Sequence, residues 1–178
     1  MPKFQESGFE FDLPDGRYFQ FQNCRTYVTK LGTASVKEMD FAWVKSDQQL
    51  LWLMEVKFFS HQGATHFDRV KETRRLQKKI TDALMMIAAI WAGTQSGSDL
   101  LRDIQSTCPN FPVNPVALKP ILAIGIDRTD AAMLLQGPIT TIRNNLKGLG
   151  NLMGFSNIGF ILLNKSESLT RPIPINPI

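Results

Sequence analysis

With 178 residues, 43% of them hydrophobic and 20% charged, the chain is sized for one domain with a buried core, spanning 1–178. It is neither a disordered tail nor a fibrous repeat. Two cysteines, Cys24 and Cys108, and two histidines, His61 and His66, exclude a disulfide framework and a locally assembled zinc site, leaving the cysteines as reduced thiols.

The longest apolar stretch, Ala83 to Ala92, falls short of the about 20 residues that cross a bilayer. The opening Met1-Pro2-Lys3-Phe4 lacks the order of a secretory signal. A cytoplasmic protein with no membrane partner is therefore expected. A net charge of +4 and a pI near 9.2 suit a polyanionic partner, a statement about association rather than activity.

Residues 8–59 read as a β-rich segment. From Gly8 to Gln22, Phe9 and Phe11 alternate with Glu10 and Asp12, Pro14-Asp15-Gly16 supplies turn chemistry, and Phe19 and Phe21 resume the alternation. That pattern predicts a β-hairpin. Cys24 to Thr33 is compatible with a short helix or an irregular connection. Val36 to Val44 and Leu50 to Phe59 are strand candidates joined by the polar turn at 46–49, which predicts antiparallel pairing. The near-continuous apolar run of the second implies a strand covered on both faces.

A long helix is expected over 65–92, with Leu76, Ile80, Leu84, Ile87 and Trp91 forming its buried stripe. The Met85-Met86 pair reads as core packing. Ser98 then caps a short helix to about Thr107, and Pro109 to Pro115 forms a loop. Leu118 to Asp127 predicts a buried strand. Thr129–Gln136 and Pro138–Leu149 predict two helices, with Pro138 in the tolerated first turn. Ile158 to Asn164 predicts a last strand. The Pro-rich tail, 171–178, suits neither a helix nor a central strand. This order belongs to an α/β fold with a mixed sheet and helices packed on it.

Side chains at i and i+2 of a strand point the same way, roughly 7 Å apart. Glu38 and Asp40 therefore share a face, as do Glu55 and Lys57, among bulky apolar neighbours such as Phe41, Leu53 and Val56. Carboxylates there cost several kcal/mol unless something neutralises them. A hard divalent cation would do so, and Mg²⁺ suits few carboxylates and several waters. The alternative is an ion pair between Lys57 and Asp40 or Glu55.

The string Lys37-Glu38-Met39-Asp40-Phe41, a short turn, then Leu53-Met54-Glu55-Val56-Lys57 resembles the PD-(D/E)XK nuclease superfamily. In that family an Asp on one strand and a Glu-x-Lys on the next meet at the end of a bent central sheet. The resemblance covers roughly Val36 to Trp91 and implies a restriction-endonuclease-like mixed central β-sheet flanked by helices. It implies Asp40, Glu55 and Lys57 as catalytic residues, with Mg²⁺ or Mn²⁺ held by Asp40, Glu55 and the Val56 carbonyl. Lys57 would orient or activate the attacking water and stabilise charge on the phosphate.

The sequence departs from the family in having Met39 where the motif has Pro. It also lacks an amphipathic helix ahead of the hairpin to supply another acid, a role Glu38 or Glu10 could fill.

The helix after the motif places Lys71, Arg74, Arg75 and Lys78 on one face by i+3 and i+4 steps, a candidate nucleic-acid-binding surface. Arg143 and Lys147 form a second basic pair. His61 and His66 fall in or beside the loop after Lys57, where either could contact a phosphate. Phe58-Phe59 reads as core, with base stacking as the other use.

The expected function is thus metal-dependent hydrolysis of phosphodiester bonds in nucleic acid, with DNA the expected substrate. Two-strand cleavage by so small a chain would call for a homodimer. The competing expectations are a catalytically inactive nuclease-like fold that binds nucleic acid or serves assembly, and an unrelated α/β interaction protein whose acidic strand residues are ion-paired.

Overall fold

The computed structural model describes residues 3–13, 15–45, 49–59, 69–126, 131–155 and 157–164. Among them run strands β1 (Lys3–Glu6), β2 (Phe9–Asp12), β3 (Tyr18–Phe19), β4 (Phe41–Lys45), β5 (Leu50–Phe59), β6 (Ala117–Ile126) and β7 (Gly159–Asn164), and helices α1 (Arg69–Trp91), α2 (Gln95–Thr107) and α3 (Ala131–Met153). His61, His66 and the 171–178 tail lie outside the described residues, as do the side chains of Glu10, Phe58, Phe59 and Arg69.

The architecture is α/β. Five strands form a mixed sheet in the order β3-β4-β5-β6-β7. β3, β4 and β5 are antiparallel neighbours, while β6 pairs parallel to β5 and β7 parallel to β6. The parallel pairings require long crossovers, which α1 with α2 and then α3 provide. One face of the sheet, including Ala42, Val44, Leu51, Leu53 and Leu122, packs against the apolar stripes of the helices. The opposite face, including Phe41, Trp52, Met54, Val56 and Ile121, is covered by Phe9 and Phe11 of β2. The two-sided burial expected of β5 is present, with Leu51, Trp52, Leu53, Met54 and Val56 each no more than 1% exposed.

Several sequence-based expectations are corrected. The first hairpin does not close across Pro14-Asp15-Gly16. β2 pairs with β1 (Glu6↔Phe9) through the two residues Ser7 and Gly8, whereas β3 joins the main sheet beside β4. Ser7 and Gly8 have φ of 51° and 80°, and positive φ at both positions gives a type I′ turn whose twist matches the strands it joins. β4 begins only at Phe41, so residues 36–40 lead into the sheet without belonging to it.

The cap of α2 is Thr94, whose hydroxyl accepts from the Gly97 N–H at 3.1 Å, rather than Ser98. Gly97 itself is demanded by packing, because a Cβ there would lie 2.0 Å from the Ala89 carbonyl oxygen. Finally, α3 is one helix with Pro138 inside it. The proline removes one helical hydrogen bond, but the stripe of Ile139, Ile142 and Leu146, all buried, holds the following turns in line.

Of the methionine pair, Met86 is buried, whereas Met85 is 64% exposed, because a 100° step separates adjacent helical residues. Both cysteines are buried and free. No helix of the described residues is long and apolar enough to cross a membrane.

Candidate metal centre at the end of the hairpin

Asp40 sits one residue before β4, whose ladder with β5 opens at Phe41↔Met54. Beyond that pair β4 has no carbonyl to offer β5, and the buried Val56 N–H would be left without an acceptor, a cost comparable to a lost hydrogen bond. The Asp40 carboxylate takes that place: its Oδ2 accepts from Val56 N at 2.7 Å. The end of the ladder thus fixes one oxygen of Asp40 and leaves the other, Oδ1, facing the helices. Gln20 steadies the same segment by donating to the Asp40 carbonyl at 3.3 Å.

Glu55 follows Leu51 and Leu53 on the helix-covered face of β5. Its side chain is only 1% exposed. What holds it there is Lys79, from the buried stripe of α1. The Lys79 Nζ donates to Glu55 Oε1 and Oε2 at 2.8 and 2.7 Å and to Asp40 Oδ1 at 3.1 Å. Lys57, two residues along β5 and on the same face, brings its Nζ to 3.3 Å from Glu55 Oε1 and is 22% exposed. The structure therefore brings Asp40, Glu55 and Lys57 together and adds Lys79.

Burial pushes the Glu55 carboxyl up to about 7, with the Asp40 charge adding to the rise and Lys79 and Lys57 pulling against it. Burial acts to lower the Lys79 ammonium, but the Glu55 and Asp40 carboxylates outweigh it and hold it above its ordinary value.

The other predicted residues are placed as follows. Glu38 is engaged by the Tyr27 hydroxyl, not by the Asp40–Glu55–Lys79 cluster. The Val56 carbonyl lies 3.1 Å from Ser7 Oγ, at the tip of the β1–β2 hairpin. A carbonyl has two lone pairs, so this contact leaves one. Among the described residues no three Asp, Glu, His or Cys side chains form a metal-binding group. An ion between Asp40 Oδ1 and Glu55 would rest on two carboxylates and water, since the Val56 carbonyl's contact is with Ser7 on the hairpin side. That donor set fits Mg²⁺, which takes oxygen ligands and keeps several waters, and the Lys79 ammonium already marks a position between the carboxylates shaped for positive charge.

Lys71, Arg74, Arg75 and Lys78 are all exposed on α1. Lys78 pairs with Asp82 at 2.6 Å and Arg75 lies 3.7 Å from Glu72. Arg143 donates to the Ile158 carbonyl at 3.4 and 3.2 Å, a structural anchor on β7's approach, while Lys147 is exposed.

Sequence reasoning missed Lys79 and Ser7 as neighbours of the site. Lys79 had a signal: it lies three residues after Leu76 and four before Ala83, inside the apolar stripe and not on the basic face. Ser7 had none, because the hairpin register that delivers it is a tertiary outcome.

No family model, curated protein or solved structure matches the chain.

Proposed function

We propose that the chain is a metal-dependent nuclease of the PD-(D/E)XK type, hydrolysing phosphodiester bonds in nucleic acid, with DNA the expected substrate. The observation that carries this reading is the convergence of Asp40 Oδ1 and both Glu55 oxygens on one cation position, beside Lys57, at the mouth of an antiparallel strand pair. The coarse fold suits it: a meander of β3, β4 and β5 is followed by a helix and a parallel strand, the order expected of a restriction-endonuclease-like domain.

In this reading Asp40 and Glu55 hold Mg²⁺, with Mn²⁺ able to replace it. The bound ion would polarise the phosphate and lower the pKa of a water. Asp40 is kept in position by the Val56 N–H, which leaves Oδ1, now paired with Lys79, as the oxygen for the ion. Lys57 is the more exposed of the two lysines and stands at the open side. It supplies a fixed positive charge where the phosphate gathers negative charge. The exposed face of Lys71, Arg74, Arg75 and Lys78 lies on the helix that carries Lys79 and would hold the nucleic-acid backbone through phosphate contacts.

A second reading is favoured by one observation. Lys79 already ion-pairs with Asp40 and Glu55, as expected of acidic residues that hold no metal, whether in a catalytically inactive nuclease-like fold that binds nucleic acid or serves assembly or in an unrelated α/β interaction protein. Incubating the protein with plasmid and linear DNA and Mg²⁺ separates the two. The nuclease reading expects cleavage that falls by about 10²–10³-fold in Lys57→Ala with the circular dichroism unchanged. Absence of cleavage with retained, salt-dependent DNA binding would select the inactive module.

A further inference from the structure

We propose that Lys79 is a built-in counter-ion that closes the Asp40–Glu55 site and must be displaced by the divalent cation for the site to load. The inference rests on the reading of Asp40 and Glu55 as metal ligands. It goes beyond that reading by giving the site a closed and an open state that differ in the position of one side chain.

The geometry leaves no room for both cations. The Lys79 Nζ spans the two Glu55 oxygens at 2.7 and 2.8 Å and reaches Asp40 Oδ1 at 3.1 Å. These are the oxygens that an ion shared by the two carboxylates would use, at Mg–O distances of about 2.0–2.1 Å. A divalent ion there would stand within van der Waals contact of an ammonium of like charge.

Lys57 raises no such conflict. It touches Glu55 through one oxygen only, at 3.3 Å, and is more exposed. The remaining support of the site also survives the exchange. Asp40 Oδ2 stays on the Val56 N–H and Val56 stays in the β5–β6 ladder, so Asp40 is positioned whether or not Lys79 is on it, and Glu55 keeps its Lys57 contact. Lysine is suited to leaving, since its charge rides on a flexible four-carbon stem whose head can move without moving the helix.

The closed state answers a physical need. Without a cation, Glu55 would be a buried carboxylate beside a second one, an arrangement costing several kcal/mol. Lys79 lets the protein fold before any metal arrives, and the metal then competes with an internal ligand.

The test uses the full chain and Mn²⁺. Bound Mn²⁺ is counted by electron paramagnetic resonance while lysine acetylation is mapped by mass spectrometry. Lys79 should be protected without metal and should become modified, by about tenfold or more, as Mn²⁺ saturates the site; Lys78, exposed on the same helix, serves as the reference. In parallel, Lys79→Met should bind Mn²⁺ about ten- to a hundredfold more tightly, the equivalent of the charge-assisted hydrogen bonds no longer displaced.

If wild type binds Mn²⁺ while Lys79 stays protected, or if folded Lys79→Met binds no more tightly than wild type, the counter-ion proposal fails and the metal site stands. If neither protein binds Mn²⁺, both fail together. Should Lys79→Met not fold, the acetylation map of the wild type decides alone.

Discussion

As far as Val56 the two faces of β5 are buried to the same degree, and they part company chemically at that end. Toward the helices the strand presents Leu51, Leu53, Glu55 and Lys57, and toward the hairpin it presents Trp52, Met54 and Val56. Leu53 and Val56 are 0% exposed, Met54 and Glu55 1%. Depth alone therefore does not decide which residue is tolerated.

The helix side carries a carboxylate because two other elements answer it: α1 brings Lys79, and the segment before β4 brings Asp40, already anchored on Val56 N–H. On the hairpin side β2 offers Phe9 and Phe11, with Phe11 edge-to-face on Phe41 at 5.1 Å. A polar exception on that face is the Trp52 Nε1, buried with no hydrogen-bond partner among the described residues. The Lys45 and Lys119 ammonium groups lie 4.8 and 5.4 Å from its ring, contacts that engage the π face and not the N–H. A buried polar group thus persists at low cost where the fold supplies a partner and at a penalty where it does not.

The largest expected effect comes from removing the partner on the helix side. Lys79→Met should lower unfolding free energy by about 3–5 kcal/mol, because it strands two buried carboxylates. Adding Asp40→Asn and Glu55→Gln to it should restore most of the loss. Met54→Ala on the hairpin side costs a comparable amount, about 2–5 kcal/mol through its cavity, yet those two changes should not rescue it. Urea titrations of wild type and the four variants check this. Equal rescue on both faces, or a Lys79→Met loss under 1 kcal/mol, would break the contrast.

A smaller effect separates the faces by pH. Cys24 and Cys108 belong to the helix-side core. Burial pushes their thiols up from 9.0, to about 12 for Cys24, where Asp103 adds to the rise, and to about 11 for Cys108. Above pH 9 the unfolded thiols ionise while the folded ones keep their protons. The folded state then binds more protons, and stability falls as pH rises. The loss should be on the order of 2 kcal/mol per thiol by pH 11. Chemical denaturation between pH 8 and 11 should show this slope in wild type and a shallower one in Cys24→Ala/Cys108→Ala.

The smallest effect tests neighbours on α1. Lys78 adjoins Lys79 in sequence but is exposed and pairs with Asp82 at 2.6 Å. Lys78→Ala should cost only about 0–1 kcal/mol. If the basic face binds nucleic acid, the substitution should also reduce the salt slope of DNA binding by about 1. A stability loss as large as that of Lys79→Met would erase the distinction between the two lysines.

Much of the frame was legible from local pattern. The antiparallel pairing of β4 with β5, the two-sided burial of β5, the long α1 and the buried β6 all follow from apolar periodicity and a short polar connection, which are properties of neighbouring residues. Sharing of one face by Glu55 and Lys57 follows equally from strand alternation. The hairpin was misread because two turns competed for β2. Ser7-Gly8 won by supplying positive φ at both central positions, while β2's aromatics were needed over Trp52 and Met54. The continuity of α3 was misread because Pro138 is a strong local stop, and packing of Ile142 and Leu146 overrode it.

By itself, then, the sequence determined that acidic groups and a lysine would lie at one end of a buried strand pair, since alternation and hydrophobic patterning act over a few residues. Which cation would meet them was decided only in three dimensions. Lys57 and Lys79 are chemically alike, and their separation into a half-open lysine and a buried bridge depends on where α1 crosses β5. Asp40's grip on Val56 N–H depends on the residue at which the β4 ladder stops. Both are consequences of packing between elements distant in the chain, where a single position along a strand or helix decides whether a charge meets its partner.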